Sequence, residues 1–353
     1  MPDSTVKATA EDLAAFIARC LRAAGVGADD AATVGAIMSE ADVNGSDGHG
    51  VFRLPQYVRR IQAGGMAARA DITTVRETSA TALIDGGNGL GHLTVKHAVE
   101  LAMDKAAETG VAWVGTRNSN HAGPAGTYAR MALARDMIGI YMAVGNANHL
   151  PPWGGTEMLL STNPIAVAIP AMDEPPVALD MATTVAAYGK VKTKAQRGEM
   201  MPEGWMIDAL GNSLTDPKRA DDGFLLPIGG AKGYGLALVF GLLAGTLNGA
   251  AFGKDVVDFN ADDTSVTNTG QMIIALNVQA FADVDQFKRQ VDEVIRQLHA
   301  SPTMPGVDAI RIPGEHAHAV RTERRRSGIP IHAVLFEKLE ALAAELGVPG
   351  IVP

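Results

Sequence analysis

Cysteine is nearly absent from the sequence: the 353 residues include only Cys20. One cysteine excludes an internal disulfide and any zinc site built from several thiolates. Cys20 lies on the apolar stripe of a predicted helix, so we expect a small buried hydrophobe. The N-terminal segment has no apolar signal core and carries acidic residues. Together these features predict a protein of the reducing cytoplasm.

An excess of basic residues is also missing, since the formal net charge is −9. Binding to nucleic-acid phosphates needs a concentrated basic surface, so no nucleic-acid partner is expected. The dense basic run consists of Arg321 and Arg324 to Arg326, interrupted by Glu323. We interpret this run as a solvated face; the alternative is a contact with the 2′-phosphate of a cofactor.

One stretch, from Gly233 to Gly253, contains no charged residue and is long enough to cross a bilayer. It also contains Thr246, Asn248 and several glycines, which favour a soluble core. We predict a buried core helix of about Tyr234 to Leu247 and no membrane partner.

Several common catalytic templates do not occur. Gly87 and Gly89 begin a dinucleotide fingerprint, but His92 occupies the position of its third glycine. The glycine-rich segment around Lys232 lacks the spacing of a phosphate loop, and no Ser or Thr follows that lysine. HExxH and GxSxG motifs are absent as well. A Rossmann domain is therefore not expected, and neither is a metal site.

Periodicity predicts helices at both chain ends and an α/β region between them. The first helix is expected after a Thr9–Asp12 cap, and the last is expected to start at Pro330. His316 and His318 are expected in a loop. The economical arrangement is a helical domain formed by residues 1–75 with 284–353, and an α/β domain formed by residues 76–283.

Three polar clusters carry candidate chemistry: His49 with Arg53, His121 in a glycine-rich loop, and Asp180 at a strand end. A loop histidine can exchange a proton near pH 7, and arginine offers a planar fork for a carboxylate. A strand-end aspartate can orient a base or hold a ribose hydroxyl. From spacing alone, structural roles remain open, such as a helix cap at Asp180.

These clusters belong to a longer series of segments. Taken in chain order, these segments resemble the signatures of the malate/L-lactate dehydrogenase family of the second, non-Rossmann type. That family also includes ureidoglycolate, sulfolactate and diketogulonate enzymes and cyclic imino-acid reductases. The resemblance covers nearly the whole chain, at Gly45–Gly65, Ser119–Ala132, Pro152–Gly155, Ser161–Pro164, Leu179–Thr183, Pro202–Trp205, Gly229–Gly235 and Pro313–Glu315.

The resemblance implies an α/β, non-Rossmann NAD(P)-binding fold with a largely antiparallel mixed sheet, and a homodimer with its active site between domains. It implies hydride transfer between NAD or NADP and C2 of a small 2-hydroxy or 2-oxo acid. By position, His121 resembles the acid/base histidine, and His49 and Arg53 match the pair that faces the carboxylate substrate. The implied cofactor-contacting positions are Ala125, Gly126, Thr127, Asn146, Asp180, Met181, Ala182, Lys232, Pro313, Gly314 and Glu315, with Asp180 also placed at the catalytic centre.

Two departures leave the substrate open. Gly48 replaces the serine that usually precedes the first histidine, and Asn146 to His149 is unusual for the family. One competing hypothesis is the reduction of a cyclic imine such as piperideine- or pyrroline-2-carboxylate. Non-catalytic binding of a small molecule stays open as well, and a metal-dependent hydrolase has less support.

Overall fold

The computed structural model describes residues 5–352, in which helices and short strands alternate. The helices are α1 (Ala10–Ala23), α2 (Ala28–Val43), α3 (Leu54–Ala63), α4 (Gly91–Thr109), α5 (Ala125–Met131), α6 (Tyr188–Arg197), α7 (Ala231–Ala244), α8 (Val284–His299), α9 (Glu315–Ser327) and α10 (Ala333–Leu346). The strands are β1 (Thr5–Ala8), β2 (Thr73–Glu77), β3 (Thr81–Asp85), β4 (Val111–Ser119), β5 (Met137–Ala143), β6 (Ile165–Ile169), β7 (Val177–Met181), β8 (Met206–Asp208), β9 (Gly223–Leu225), β10 (Thr269–Asn277) and β11 (Ile329–His332).

The central sheet has seven strands in the order β2-β3-β4-β10-β5-β6-β7. Only β3 and β4 pair in parallel, and α4 connects them, because parallel neighbours need a crossover. Every other neighbouring pair in this sheet is antiparallel. The expected non-Rossmann α/β fold with a largely antiparallel mixed sheet is confirmed.

A second core joins the two chain ends. Thr9 caps α1, accepting the Asp12 N–H at 3.0 Å, and Cys20 is fully buried. Leu13 and Phe16 of α1 share this core with Leu339 of α10. The short strands β1 and β11 pair antiparallel beside it. The boundaries at residues 75 and 283 stay a prediction.

The end of the chain differs from expectation in two places. Pro330 does not start a helix; it lies in β11, whose residues Ile329 and Ile331 alternate into the core while Pro330 faces out. Proline is tolerated on such an edge strand. His316 and His318 lie on α9 and not in a loop.

Helix α7 also differs from the predicted core helix. Ala237, Gly241 and Ala244 are buried, but Leu236, Val239 and Leu242 are 40%, 49% and 42% exposed. The last three residues define what we call the α7 face. The chain leaves the helix at Gly245, so Leu247 lies outside it. Within residues 5–352, no helix combines the length and apolarity needed to cross a membrane.

Candidate active site

The loop that follows β4 carries His121, and Tyr57 of α3 holds its ring. Tyr57 Oη lies 2.5 Å from His121 Nδ1, and the Gly123 N–H donates to the same nitrogen at 3.3 Å. A backbone N–H can only donate, so this contact makes Nδ1 an acceptor. The neutral ring therefore carries its proton on Nε2, with Tyr57 donating to Nδ1.

The rings of His49 and Phe259 lie against His121. The His49 and His121 rings are nearly parallel, with centroids 5.6 Å apart, and the Phe259 ring lies at 5.4 Å. Burial, and secondarily the charge of Arg53, lowers the pKa of His49 to about 4. The same two causes lower the pKa of His121 well below its ordinary value. Both histidines are therefore neutral near pH 7.

Arg53 is the last residue of a single 3₁₀ turn (Val51–Arg53) and directly precedes α3. Its Nε donates to Gly48 O at 3.0 Å, and its Nη1 donates to Gln56 Oε1 and Asn260 Oδ1, both at 2.9 Å. No acceptor among residues 5–352 engages Nη2. One arm of the guanidinium fork is thus fixed by protein, and the other remains for a carboxylate.

Helix α3 also holds the segment that supplies Phe259 and Asn260. Gln56 Nε2 donates to Phe259 O at 2.6 Å. The buried Arg60 donates to the backbone oxygens of Asp262, Gly65 and Ser265. Sequence reasoning did not point to Tyr57, Gln56, Phe259 or Asn260. Tyr57 could have been found, because it lies one helical turn after Arg53.

Asp180 lies on β7 and faces the start of α5. Its carboxylate accepts the Gly126 N–H at 2.9 Å, and a Cβ at Gly126 would lie 2.7 Å from Asp180 Oδ2. Only glycine permits this approach. Asp180 is exposed, yet the surrounding protein raises the pKa of its carboxyl by desolvation, while the Gly126 hydrogen bond lowers it. Ala125 and Thr127 flank Gly126 in the first turn of α5.

The Pro313–Gly314–Glu315 turn packs beside β7. Pro313 O accepts the Ala178 N–H at 2.9 Å, and Gly314 has a φ of +98° with no room for a side chain against Ala178. The Glu315 carboxylate is engaged within the protein: it accepts the Ile312 N–H at 3.1 Å and contacts His299 Nε2 at 2.5 Å. This turn lies two residues from Asp180 along the strand.

The remaining predicted cofactor residues fall into two places. Met181 ends β7 and Ala182 follows it, and the next residue, Thr183, accepts the Ile228 N–H through its carbonyl at 3.0 Å. That contact brings the first turn of α7, with the exposed Lys232, beside the strand end. Asn146 lies elsewhere, on the Phe259 side: its O accepts the Phe259 N–H and its Nδ2 donates to Thr269 Oγ1 at 2.7 Å.

This donor set fits a dinucleotide. The N-terminus of α7 has no side-chain cap, so backbone N–H groups there are available to phosphates, and Lys232 adds a cation. Asp180 supplies the acceptor that a ribose hydroxyl needs. In the part of the chain from 5 to 352, no group of three or more His, Cys, Asp or Glu side chains is arranged to hold a metal ion.

A largely antiparallel sheet bordered by this histidine–tyrosine–arginine site defines a non-Rossmann class of oxidoreductase. The family model for malate/L-lactate dehydrogenase matches residues 8–340, and the chain belongs to that family. The resemblance drawn from the sequence motifs is confirmed.

Similar proteins cover the chain almost completely. It is 38% identical to malate/(S)-sulfolactate dehydrogenase of Methanothermus fervidus, over 96% of this chain and 97% of that protein. Among solved structures, sulfolactate dehydrogenase from Methanocaldococcus jannaschii matches with a TM-score of 0.90 at 37% identity, over 97% of this chain and 98% of that one.

The similar proteins include dehydrogenases named for NAD(+) and others named for NADP(+). Ureidoglycolate dehydrogenase (NAD(+)) of Escherichia coli is 31% identical over 95% of both chains. The (2R)-3-sulfolactate dehydrogenase (NADP(+)) of Chromohalobacter salexigens is 32% identical over 92% of this chain and 94% of that one. The expectation of NAD or NADP is confirmed for the family.

Proposed function

We propose that the protein transfers hydride between NAD or NADP and C2 of a small 2-hydroxy or 2-oxo acid. The observation that carries this proposal is the Tyr57–His121 pair beside the free Nη2 of Arg53. The first can move a proton and the second can bind a carboxylate, and they lie close enough for the charge of Arg53 to lower the pKa of His121. The nicotinamide, when bound, supplies or accepts the hydride.

Arg53 would bind the substrate carboxylate. Its guanidinium stays charged although burial lowers its pKa. Because Gln56 and Asn260 hold Nη1, the orientation of Nη2 is set before substrate arrives. His49, whose ring is parallel to that of His121, would donate a hydrogen bond to the C2 oxygen or to the carboxylate.

His121 would act as the acid/base. During reduction the ring, protonated on both nitrogens, delivers the Nε2 proton to the C2 oxygen and is left neutral with its proton on Nδ1. During oxidation that same neutral tautomer accepts the hydroxyl proton at Nε2. Tyr57 can donate to Nδ1 or accept from it, so its hydroxyl accompanies either neutral tautomer. Asp180 would contact the ribose or the nicotinamide end from β7.

Assays of NADH and NADPH oxidation test this function. The substrates are pyruvate, oxaloacetate, 3-sulfopyruvate, a branched 2-oxo acid, piperideine-2-carboxylate and pyrroline-2-carboxylate. We expect turnover with at least one 2-oxo acid. Turnover of the imines alone would overturn the hydroxy-acid assignment. Cofactor fluorescence changes without turnover of any substrate would show a non-catalytic binder, and loss of activity with chelator would favour a metal enzyme.

We also propose a homodimer, based on the α7 face. Three half-exposed apolar residues, Leu236, Val239 and Leu242, recur at helical spacing on α7, where a second copy of the chain would cover them. Sedimentation should give twice the 36.8 kDa chain mass. Val239→Asp should yield monomers, whereas Val75→Asp, which changes an exposed valine on β2, should not. A monomeric wild type would refute the proposal.

The expected cytoplasmic location also stays a proposal. It rests on Cys20, the one cysteine of the sequence, which has no second thiol for an internal disulfide. This thiol is also buried, and burial raises its pKa to about 11, so it is unreactive toward oxidation.

A further inference from the structure

The arginine run on α9 is not the solvated face that its charge pattern suggested. Arg321 and Arg325 both pair with Glu40 of α2, and Arg324 pairs with Asp47. Arg326 pairs within its own helix, with Glu323. Three of the four arginines therefore bind other segments of the same chain.

Arg324 makes the most extensive of these contacts. Its side chain is only 14% exposed, and its two terminal nitrogens meet both oxygens of Asp47, with Nη2 to Oδ2 at 3.1 Å. Nη1 also donates to Asp42 O at 2.5 Å. A fork facing both oxygens of a carboxylate is directional as well as attractive. Arg324 therefore ties the end of α2 to the loop that follows it.

That loop, residues 44–53, carries His49 and Arg53; we call it the His49 loop. On its inner side, the Asp42 carboxylate accepts the Val51 N–H at 2.8 Å. A Cβ at Gly50 would lie within 2.2 Å of all three carboxyl atoms of Asp42, so the backbone rests directly on them. Asp42 thus supports the loop from within, and Arg324 holds it from outside.

Helix α9, which carries Arg324, begins at the Pro313–Gly314–Glu315 turn beside β7. Gly314 precedes α9, and Pro313 is hydrogen-bonded to Ala178 of β7, two residues from Asp180. The 13 residues of α9 span about 20 Å. A single rigid element therefore connects the edge of β7 with the His49 loop.

We propose that Arg324 is a positioning residue for substrate binding: from α9 it fixes the His49 loop, and with it His49 and Arg53, relative to the cofactor-binding edge of β7. This inference rests on the proposed function. It also assigns the arginine a task other than a cofactor 2′-phosphate, because Asp47 and Asp42 occupy its terminal nitrogens.

The test compares Arg324→Gln, Arg324→Lys and Asp47→Asn with Arg326→Gln as the matched control. Arg326 is 79% exposed and its ion pair is with Glu323 of its own helix, so its loss removes a charge from the same run without breaking a contact to the His49 loop. We expect Arg324→Gln and Asp47→Asn to raise KM for the 2-oxo acid about tenfold, with kcat and cofactor Kd changing far less. Arg324→Lys should raise KM less than Arg324→Gln does, because lysine keeps the charge but not the planar fork.

Two further readouts separate positioning from general damage. The double variant Arg324→Gln/Asp47→Asn should raise KM no more than Arg324→Gln alone, because Asp47→Asn removes an interaction that Arg324→Gln has already removed. Hydrogen exchange of residues 44–53 should accelerate in Arg324→Gln and Asp47→Asn but not in Arg326→Gln. Equal KM values and equal exchange in all variants would overturn the proposal. The exchange experiment needs no turnover, so it decides the inference even if the wild type fails to reduce any 2-oxo acid.

Discussion

Tyr57 Oη lies 2.5 Å from Nδ1 of His121, a contact between α3 and the loop after β4 that spans 64 positions of the sequence. With the Gly123 N–H on the same nitrogen, it sets the resting proton of His121 on Nε2. The ring that we propose as the acid/base group is therefore oriented before any substrate binds, which is what efficient proton transfer requires.

Tyr57→Phe should lower kcat for 2-oxo-acid reduction roughly tenfold, since one lost hydrogen bond to a buried partner costs about 1–3 kcal/mol. The pH profile should also shift, because Tyr57 no longer biases the tautomer. Steady-state kinetics across pH measure both effects. Tyr128→Phe is the control: that hydroxyl is equally buried but donates to Ala122 O. Equal profiles for the two variants would contradict the positioning role of Tyr57.

His121→Asn should reduce kcat/KM by about 10²–10⁴, the usual worth of a positioned acid/base. Cofactor binding, followed by nicotinamide fluorescence, should change little, because the positions assigned to the dinucleotide, chiefly on β7, α5 and α7, do not include His121. His97→Asn, at an exposed position of α4, serves as the control. Retention of more than a tenth of wild-type turnover in His121→Asn would remove His121 from the mechanism.

Substrate binding should take up protons near pH 7. Arg53 is the second cause that lowers the pKa of His121, after burial. A bound carboxylate offsets that charge, so the affinity of His121 for a proton should rise on binding. Calorimetry of oxamate binding to the NADH complex, in buffers of different ionisation enthalpy, measures the uptake. His121→Asn should abolish it, and proton release by the wild type would contradict this account.

Gly48 and Gly50 should respond oppositely to the same change. No atom lies within 4 Å of a Cβ at Gly48, whereas a Cβ at Gly50 would lie 2.1 Å from Asp42 Oδ1. Gly48→Ser should therefore leave the free energy of unfolding unchanged and show, through KM, what the missing hydroxyl contributes. Gly50→Ser should destabilise the fold by about 2–3 kcal/mol or more, by overpacking. Urea titrations compare the two, and equal midpoints would refute the prediction.

Acid should destabilise the protein through His92. This ring is fully buried beside Tyr57, and burial lowers its pKa from 6.5 to about 3. A base with a lowered folded pKa contributes stability above pH 6.5 that is lost as pH falls, because the unfolded chain binds the proton first. Between pH 7 and pH 5 the loss attributable to His92 is about 2 kcal/mol.

His92→Gln should therefore lose about 2 kcal/mol less than the wild type over that pH interval, measured by urea unfolding at each pH. His97→Gln, which removes an exposed histidine, is the matched control and should follow the wild type. An unchanged pH dependence in His92→Gln would show that the buried ring does not govern acid stability.

Local sequence patterns were sufficient to predict much of this structure. The Thr9–Asp12 cap of α1, the strands around the central sheet and the absence of a Rossmann fingerprint are all properties of short segments. The i, i+4 spacing of Arg53, which precedes α3, and Tyr57 on that helix is local too. The order of motifs along the chain, which carried the family resemblance, is likewise linear information.

The tertiary structure determined which residues those segments contact. Arg53 reaches Asn260 across 207 positions, and Arg324 reaches Asp47 across 277. No periodicity reports such pairs, because they depend on the path of the whole chain. Likewise, charge patterning could not tell the α9 arginines from a solvated face, and hydropathy could not tell the exposed side of α7 from its buried side. A sequence determines which residues can form helices, strands and polar contacts; only packing determines which buried groups face one another.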